Sequence, residues 1–115
     1  MLPKKFRLRK NIDFRRIYRS SKSIANQDLV LYIKKNNYSN DTRIGFSISK
    51  KLGKANERNL LKRQFREVIR NKIEHLKPGY DLIFIARQKI KGKSYSDVEK
   101  SMEFLLVKGR VVNDK

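Results

Sequence analysis

Apolar positions along the chain repeat with two different periods. Leu29, Leu31 and Ile33 alternate with Val30, Tyr32 and Lys34, the period of two that puts one set on each side of a β-strand. One side is apolar and the other mixed. In "TRIGFSIS", Ile44, Phe46 and Ile48 alternate with Arg43, Gly45, Ser47 and Ser49. This predicts a second strand with a small, polar face that a neighbour can approach closely. The stretch between them, "NNYSND", suits a hairpin turn. "YDLIFIA", residues 80–86, is nearly continuously apolar, as in a strand buried on both faces. A shorter extended piece over residues 22–25 can pair with the first strand.

Elsewhere the period is helical. Phe14, Ile17 and Tyr18 fall at i, i+3 and i+4, forming one stripe on a helix of about ten residues. Asn11 is its candidate N-cap, and Asp13 lies in the first turn, where the helix dipole favours an anion. From Glu57, at 100° per residue, Leu61, Phe65, Val68, Ile69, Ile73 and Leu76 share an arc of about 140°. A long helix follows, with Asn56 as candidate N-cap and an end near Leu76, before "KPG". Ser96 and Glu99 have capping-box spacing at the head of a last helix, whose core stripe is Tyr95, Val98, Met102, Leu105 and Leu106. The order α-β-β-β-α-β-α predicts an α/β sandwich, with helices on an approximately four-stranded sheet. With 115 residues, no internal repeat and no low-complexity linker, the reading is one domain over 1–115.

Charge narrows the function. Thirty Lys and Arg against eleven Asp and Glu give +19, which destabilises a small globule through self-repulsion and calls for a polyanionic partner. Nucleic acid fits, because each neutralised phosphate releases condensed cations. A membrane fits less well: no apolar stretch approaches the roughly 18 residues of a spanning helix, and "MLPKKFRLRK" lacks a signal-peptide centre. The absence of cysteine rules out disulfides and thiolate metal sites and is compatible with a cytoplasmic location. A single histidine, His75, excludes multi-histidine sites within one chain. It reads as a helix-terminal or surface residue. "GKS" at 92–94 lacks the spacing of a phosphate-binding P-loop. If a chain so equipped takes part in catalysis, it is not expected to carry the chemistry alone, and no catalytic residue is assigned.

On the long helix, Arg58, Asn59, Lys62, Arg63, Arg66 and Arg70 fill a second arc beside the apolar one, while Glu57, Glu67 and Glu74 gather on the remaining side. Such a face can be a solvated one laced by ion pairs, or a polyanion-binding one. Arg58, Lys62, Arg66 and Arg70 repeat at i+4, where like charges repel. Arginine also outnumbers lysine, which suits bidentate contact with phosphate. Both features favour polyanion binding. Lys50, Lys51 and Lys54 extend the patch toward the helix N-terminus, whose amides also attract phosphate. Asn59 is a poor interior helix former and invites a role beyond propensity. Arg7, Arg9 and Lys10 are equally readable as phosphate contacts or as a solvated basic tail.

"SKKLGKANERNLLKRQFRE" resembles the RNR motif of the bacterial ribonuclease P protein family: a Lys-Lys-hydrophobic-Gly turn, then Arg-Asn, Lys-Arg and Arg. "LPKKFRLRKNIDFRRIY", "LVLYIKK", "RIGFSISKK" and "YDLIFIAR" are similar to the family's other segments, so the likeness covers nearly the whole chain. Leu60 departs from it, standing where the family often has Arg. The resemblance implies a two-layer α/β sandwich with a left-handed β-α-β crossover, like the second domain of a small-subunit ribosomal protein, against the usual right-handed rule. It also implies a protein subunit of a ribonucleoprotein that removes the 5′ leader of precursor tRNA, with magnesium-assisted chemistry on the catalytic RNA. Carried over residue by residue, catalytic-RNA binding falls to Lys50, Lys51, Lys54, Arg58, Asn59, Lys62, Arg63 and Arg66. Leader binding falls to Phe14, Tyr18, Val30 and Tyr32, aromatics there serving to stack bases. From periodicity alone Phe14 and Tyr18 read as core. The competing readings are a generic RNA-binding module of ribosomal type and an autonomous nuclease.

Overall fold

A computed structural model of the chain describes residues 4–8, 10–36 and 40–113. Helix α1 (Asn11–Ser20) is followed by strands β1 (Lys22–Ala25), β2 (Leu29–Lys35) and β3 (Arg43–Ser47), helix α2 (Ala55–Lys72), strand β4 (Tyr80–Ala86) and helix α3 (Tyr95–Lys108). The sheet order is β1-β2-β4-β3, with β4 antiparallel to β2 and parallel to β3. The predicted order of elements and the four-stranded α/β architecture are therefore present. The predicted hairpin is not: β2 and β3 are separated by β4. From Leu82 to Ala86 the side chains of β4 are apolar toward both layers, so it takes the central place where both faces are covered, and the more polar β3 is left at the edge. The turn between β2 and β3 includes residues 37–39, which lie outside the described residues, as does Arg9.

Helix ends differ from the predicted caps by one or two residues. Lys10, not Asn11, occupies the N-cap of α1, and its carbonyl accepts from the Asp13 and Phe14 amides. Lys54, not Asn56, precedes α2, and there the Glu57 carboxylate accepts from the Lys54 amide at 2.9 Å. Gly53 makes this possible. Its φ of +148° is a region nearly confined to glycine, and a Cβ there would come within 2.6 Å of the Glu57 carboxylate. Helix α2 ends at Lys72, and a 3-10 turn, Ile73–His75, carries the chain to Leu76. Ser94, not Ser96, caps α3 by accepting from the Asp97 amide.

The two faces of the sheet are unequal. Leu29, Leu31, Ile33, Leu82 and Phe84 pack under α2 and α3 with Phe65, Ile69, Met102 and Leu105. The opposite face carries α1, whose one buried side chain is Ile17, against Ile83 and Leu8. Phe14, Tyr32 and Ile85 border this small cluster and are only partly covered. The second face thus leaves room beside α1.

Candidate nucleic-acid interface

Helix α1 crosses the sheet where β3 has its small residues. Phe14 lies directly over Gly45, and Tyr18 reaches Ser47, whose hydroxyl bonds its phenol. The rings form a chain: Phe14 meets Tyr18 edge-on at 6.2 Å between centroids, and Tyr18 meets Tyr32 edge-on at 5.0 Å. Burial raises the Tyr18 phenol above its ordinary pKa, more than the Ser47 bond lowers it, and the neighbouring Tyr32 adds to the rise. The group therefore stays neutral at physiological pH and sets no negative charge against an approaching phosphate. Val30 and Tyr32 share a sheet face, and neither forms a wall of the groove described next; Tyr32 adjoins it through Tyr18.

Along the β3 edge runs a groove of about 860 Å³. Phe14, Arg15 and Tyr18 of α1 line it on one side, and Lys62 and Arg66 of α2 on the other, with Gly45 to Ile48 as part of its floor. In sequence the aromatic residues and the basic helix lie in separate segments and read as two surfaces. The structure makes Phe14, Tyr18, Lys62 and Arg66 walls of one groove. Arg7 also lines it, and its buried Nε has no hydrogen-bond partner among the described residues. Arg15 was missed from sequence, although its place beside Phe14 and four residues beyond Asn11 puts it on the groove side of α1.

The rest of the basic patch faces outward. Lys50, Lys51, Lys54, Asn59 and Arg63 are exposed, while Arg58, Lys62 and Arg66 are half-buried. Among the described residues none of these cations forms an ion pair with a carboxylate, which is not the arrangement of a laced, solvated face. Arg70 is different: predicted on the cationic arc, it pairs with Glu67, so the segregation of charge ends before the last turn. Arg58 donates from Nε to the Gly53 carbonyl at 3.2 Å, fixing its aliphatic stem against the turn. The Glu57 carboxyl is held below its usual pKa by the Lys54 amide and then by the charge of Lys91. Leu60 is exposed, so the residue that departs from the RNR pattern points toward solvent. Among the described residues no three His, Cys, Asp or Glu side chains gather to hold a metal, and no helix is long and apolar enough to cross a membrane.

A four-stranded α/β fold with one unpaired cationic helix face and an aromatic-lined groove defines a protein built to meet a polyanion. Comparison with known proteins gives the family. The Ribonuclease P family model matches residues 2–109. The ribonuclease P protein component of Clostridium novyi (strain NT) is 45% identical over 113 residues, covering 97% of this chain and 100% of that protein. The solved RNase P protein of Staphylococcus aureus superposes with a TM-score of 0.89 at 39% identity, covering 94% of this chain and 98% of that one. That of Thermotoga maritima gives 0.81 at 32% identity, covering 89% and 96%. The chain belongs to the ribonuclease P protein family. It is the protein component of that ribonucleoprotein endoribonuclease, and its partner is RNA.

Proposed function

We propose that this subunit holds the catalytic RNA on the outward cations of α2 and its preceding turn, and draws the 5′ leader of precursor tRNA into the groove beside α1. In this reading Lys50, Lys51, Lys54, Arg58, Asn59 and Arg63 meet catalytic-RNA phosphates, and Lys62 and Arg66 stand where the two RNAs come together. Phe14 and Tyr18 offer ring faces and edges to unpaired leader bases in the groove, and Tyr32, beside Tyr18, and Val30 on the same sheet face extend that surface beyond its walls. Stacking of this kind tolerates any base, so the leader is held by being single-stranded and by its phosphates, not by its sequence. Binding the leader while gripping the catalytic RNA orients the scissile bond and promotes endonucleolytic release of the mature tRNA 5′ end.

The observation that carries this reading is the shared groove: aromatic rings on one wall, unpaired cations on the other. Hydrolysis itself is assigned to the RNA. In this reading magnesium belongs to the RNA, where it would supply water activation and charge stabilisation. A cytoplasmic location goes with this reading.

The deciding experiment is cleavage of a precursor tRNA by bacterial ribonuclease P RNA at low magnesium, with and without the protein, over a series of leader lengths. Stimulation that grows with leader length, and no cleavage by protein alone, is the expected result. Binding without stimulation would return the chain to a generic RNA-binding role.

A further inference from the structure

Four charged side chains close a ring beneath α1. Asp81 of β4 is fully buried and takes two bonds from Arg43 of β3, Nε to Oδ1 at 3.1 Å and Nη2 to Oδ2 at 3.0 Å. Arg16 of α1 reaches the same carboxylate at 3.5 Å and its own helix neighbour Asp13 at 3.4 Å. Asp13 approaches Arg43 at 4.0 Å, completing the circuit. Asn36, at the end of β2, donates its amide to Asp81 at 3.0 Å. Two arginines and two aspartates cancel, so a chain of net charge +19 holds a neutral cluster at this point.

The ring's place in the sheet gives it a consequence. Arg43 stands opposite Asp81, and two residues on, on the same face, Gly45 stands opposite Ile83. Phe14 covers Gly45, and Ile17 packs with Ile83. Tyr18 then meets Ser47 and Tyr32. The aromatic wall therefore begins one pleat from the ring. Ile17 is the only fully buried side chain of α1, with Phe14 partly covered beside it; apolar contact of this kind is non-directional, whereas ion pairs with fixed guanidinium forks carry direction as well as attraction.

We propose that Asp13, Arg16, Arg43 and Asp81 are positioning residues for the leader groove: the ring fixes α1 on the sheet so that Phe14, Tyr18 and Tyr32 stay aligned. Arg16 and Arg43 then act through the helix and not as phosphate contacts. The proposal rests on the leader reading above, and its test separates the two.

The informative variant is Asp13→Asn, because Asp13 is a partly exposed anion on an RNA-binding protein. Simple electrostatics makes its removal neutral or favourable for RNA binding. Positioning makes it unfavourable: affinity of the holoenzyme for leader-bearing precursor falls by about tenfold, while affinity for leaderless tRNA, docking of the catalytic RNA and the melting temperature stay near those of the parent. Asp13→Glu restores most of the affinity. Asp81→Asn leaves two arginines with a weakened anchor and is expected to act in the same direction more strongly. An Asp13→Asn protein that binds leader-bearing precursor as well as, or better than, the parent overturns the proposal.

A second measurement needs no RNA. In the free protein, proton contacts between Phe14 and Gly45 and between Tyr18 and Tyr32, seen by NMR, weaken in Asp13→Asn while the β4 amides keep their shifts. Retention of both at full strength refutes the positioning role. A parent protein without leader preference would refute the leader reading instead, and the NMR measurement would still decide for or against the ring.

Discussion

The ring of Phe14 rests on the backbone of Gly45 so closely that a Cβ at position 45 would stand 2.5 Å from its Cζ. The contact joins the helix that carries the aromatic wall to the strand at the edge of the sheet. It explains why a small residue stands in the middle of β3, where a β-branched one would otherwise suit the strand.

Gly45→Ala is therefore expected to force Phe14 outward and destabilise the protein by about 1–3 kcal/mol through overpacking. Urea denaturation of the free protein measures this. Adding Phe14→Leu, which shortens the intruding ring, is expected to recover part of the stability. Additive effects in the double variant would show that the two residues do not share this constraint.

Removing charge at Arg58 and Lys62 together is expected to weaken binding to the catalytic RNA and to flatten the dependence of log K on log salt by roughly one to two units, one for each phosphate no longer neutralised. Arg58→Lys is expected to keep the charge but not the directed bond to the Gly53 carbonyl, giving a smaller drop in affinity with an unchanged salt slope. Titrations over a range of salt concentrations in folded variants separate the two effects.

Tyr32→Ala is expected to cost about 1–3 kcal/mol in leader-dependent affinity, the range for a stacked base, with little change for leaderless tRNA. Equal weakening on the two substrates would mean that Tyr32 only supports Tyr18 from behind, across the 5.0 Å between their rings.

Asp28 provides a pH-dependent prediction remote from the groove. Burial acts to raise its pKa, but hydrogen bonds from Lys93 and Ser101, with the charges of Lys93 and Lys89, outweigh burial and hold it below the ordinary value. The Lys93 ammonium stands 2.8 Å away. A carboxylate whose folded pKa is depressed stabilises the fold above its unfolded pKa of about 3.9 and ceases to do so as pH falls through the folded value. The stability gap between the parent and Asp28→Asn should accordingly be largest near neutrality and close as the pH drops below about 4. A gap that stays constant down to the acid transition would assign the effect to packing alone.

Period and charge, both local properties, were enough to identify most of the elements. Val98, Met102, Leu105 and Leu106 form the buried stripe of α3, and Leu61, Phe65, Val68 and Ile69 that of α2, as their spacing implies. The resemblance around "KKLGKANERN" located the basic patch for the same reason, since those residues are consecutive and share one turn and one helix. The caps were misplaced because Asn11, Asn56 and Ser96 are good capping types that compete with neighbours one or two positions earlier, and hydrogen-bond geometry decides between them.

What the sequence determined by itself is the set of helices and strands, the excess of cations and the cationic arc of α2, because each depends on residues close together along the chain. Only the tertiary structure decided that β4 would separate β2 from β3, since a strand's neighbours are chosen by burial of both its faces and not by its place in the chain. The same long-range choice set Lys62 and Arg66 across a groove from Phe14 and Tyr18. It also turned Arg16 and Arg43 inward, onto an aspartate near the start of an apolar strand, where the low dielectric makes a paired charge the only tolerable one.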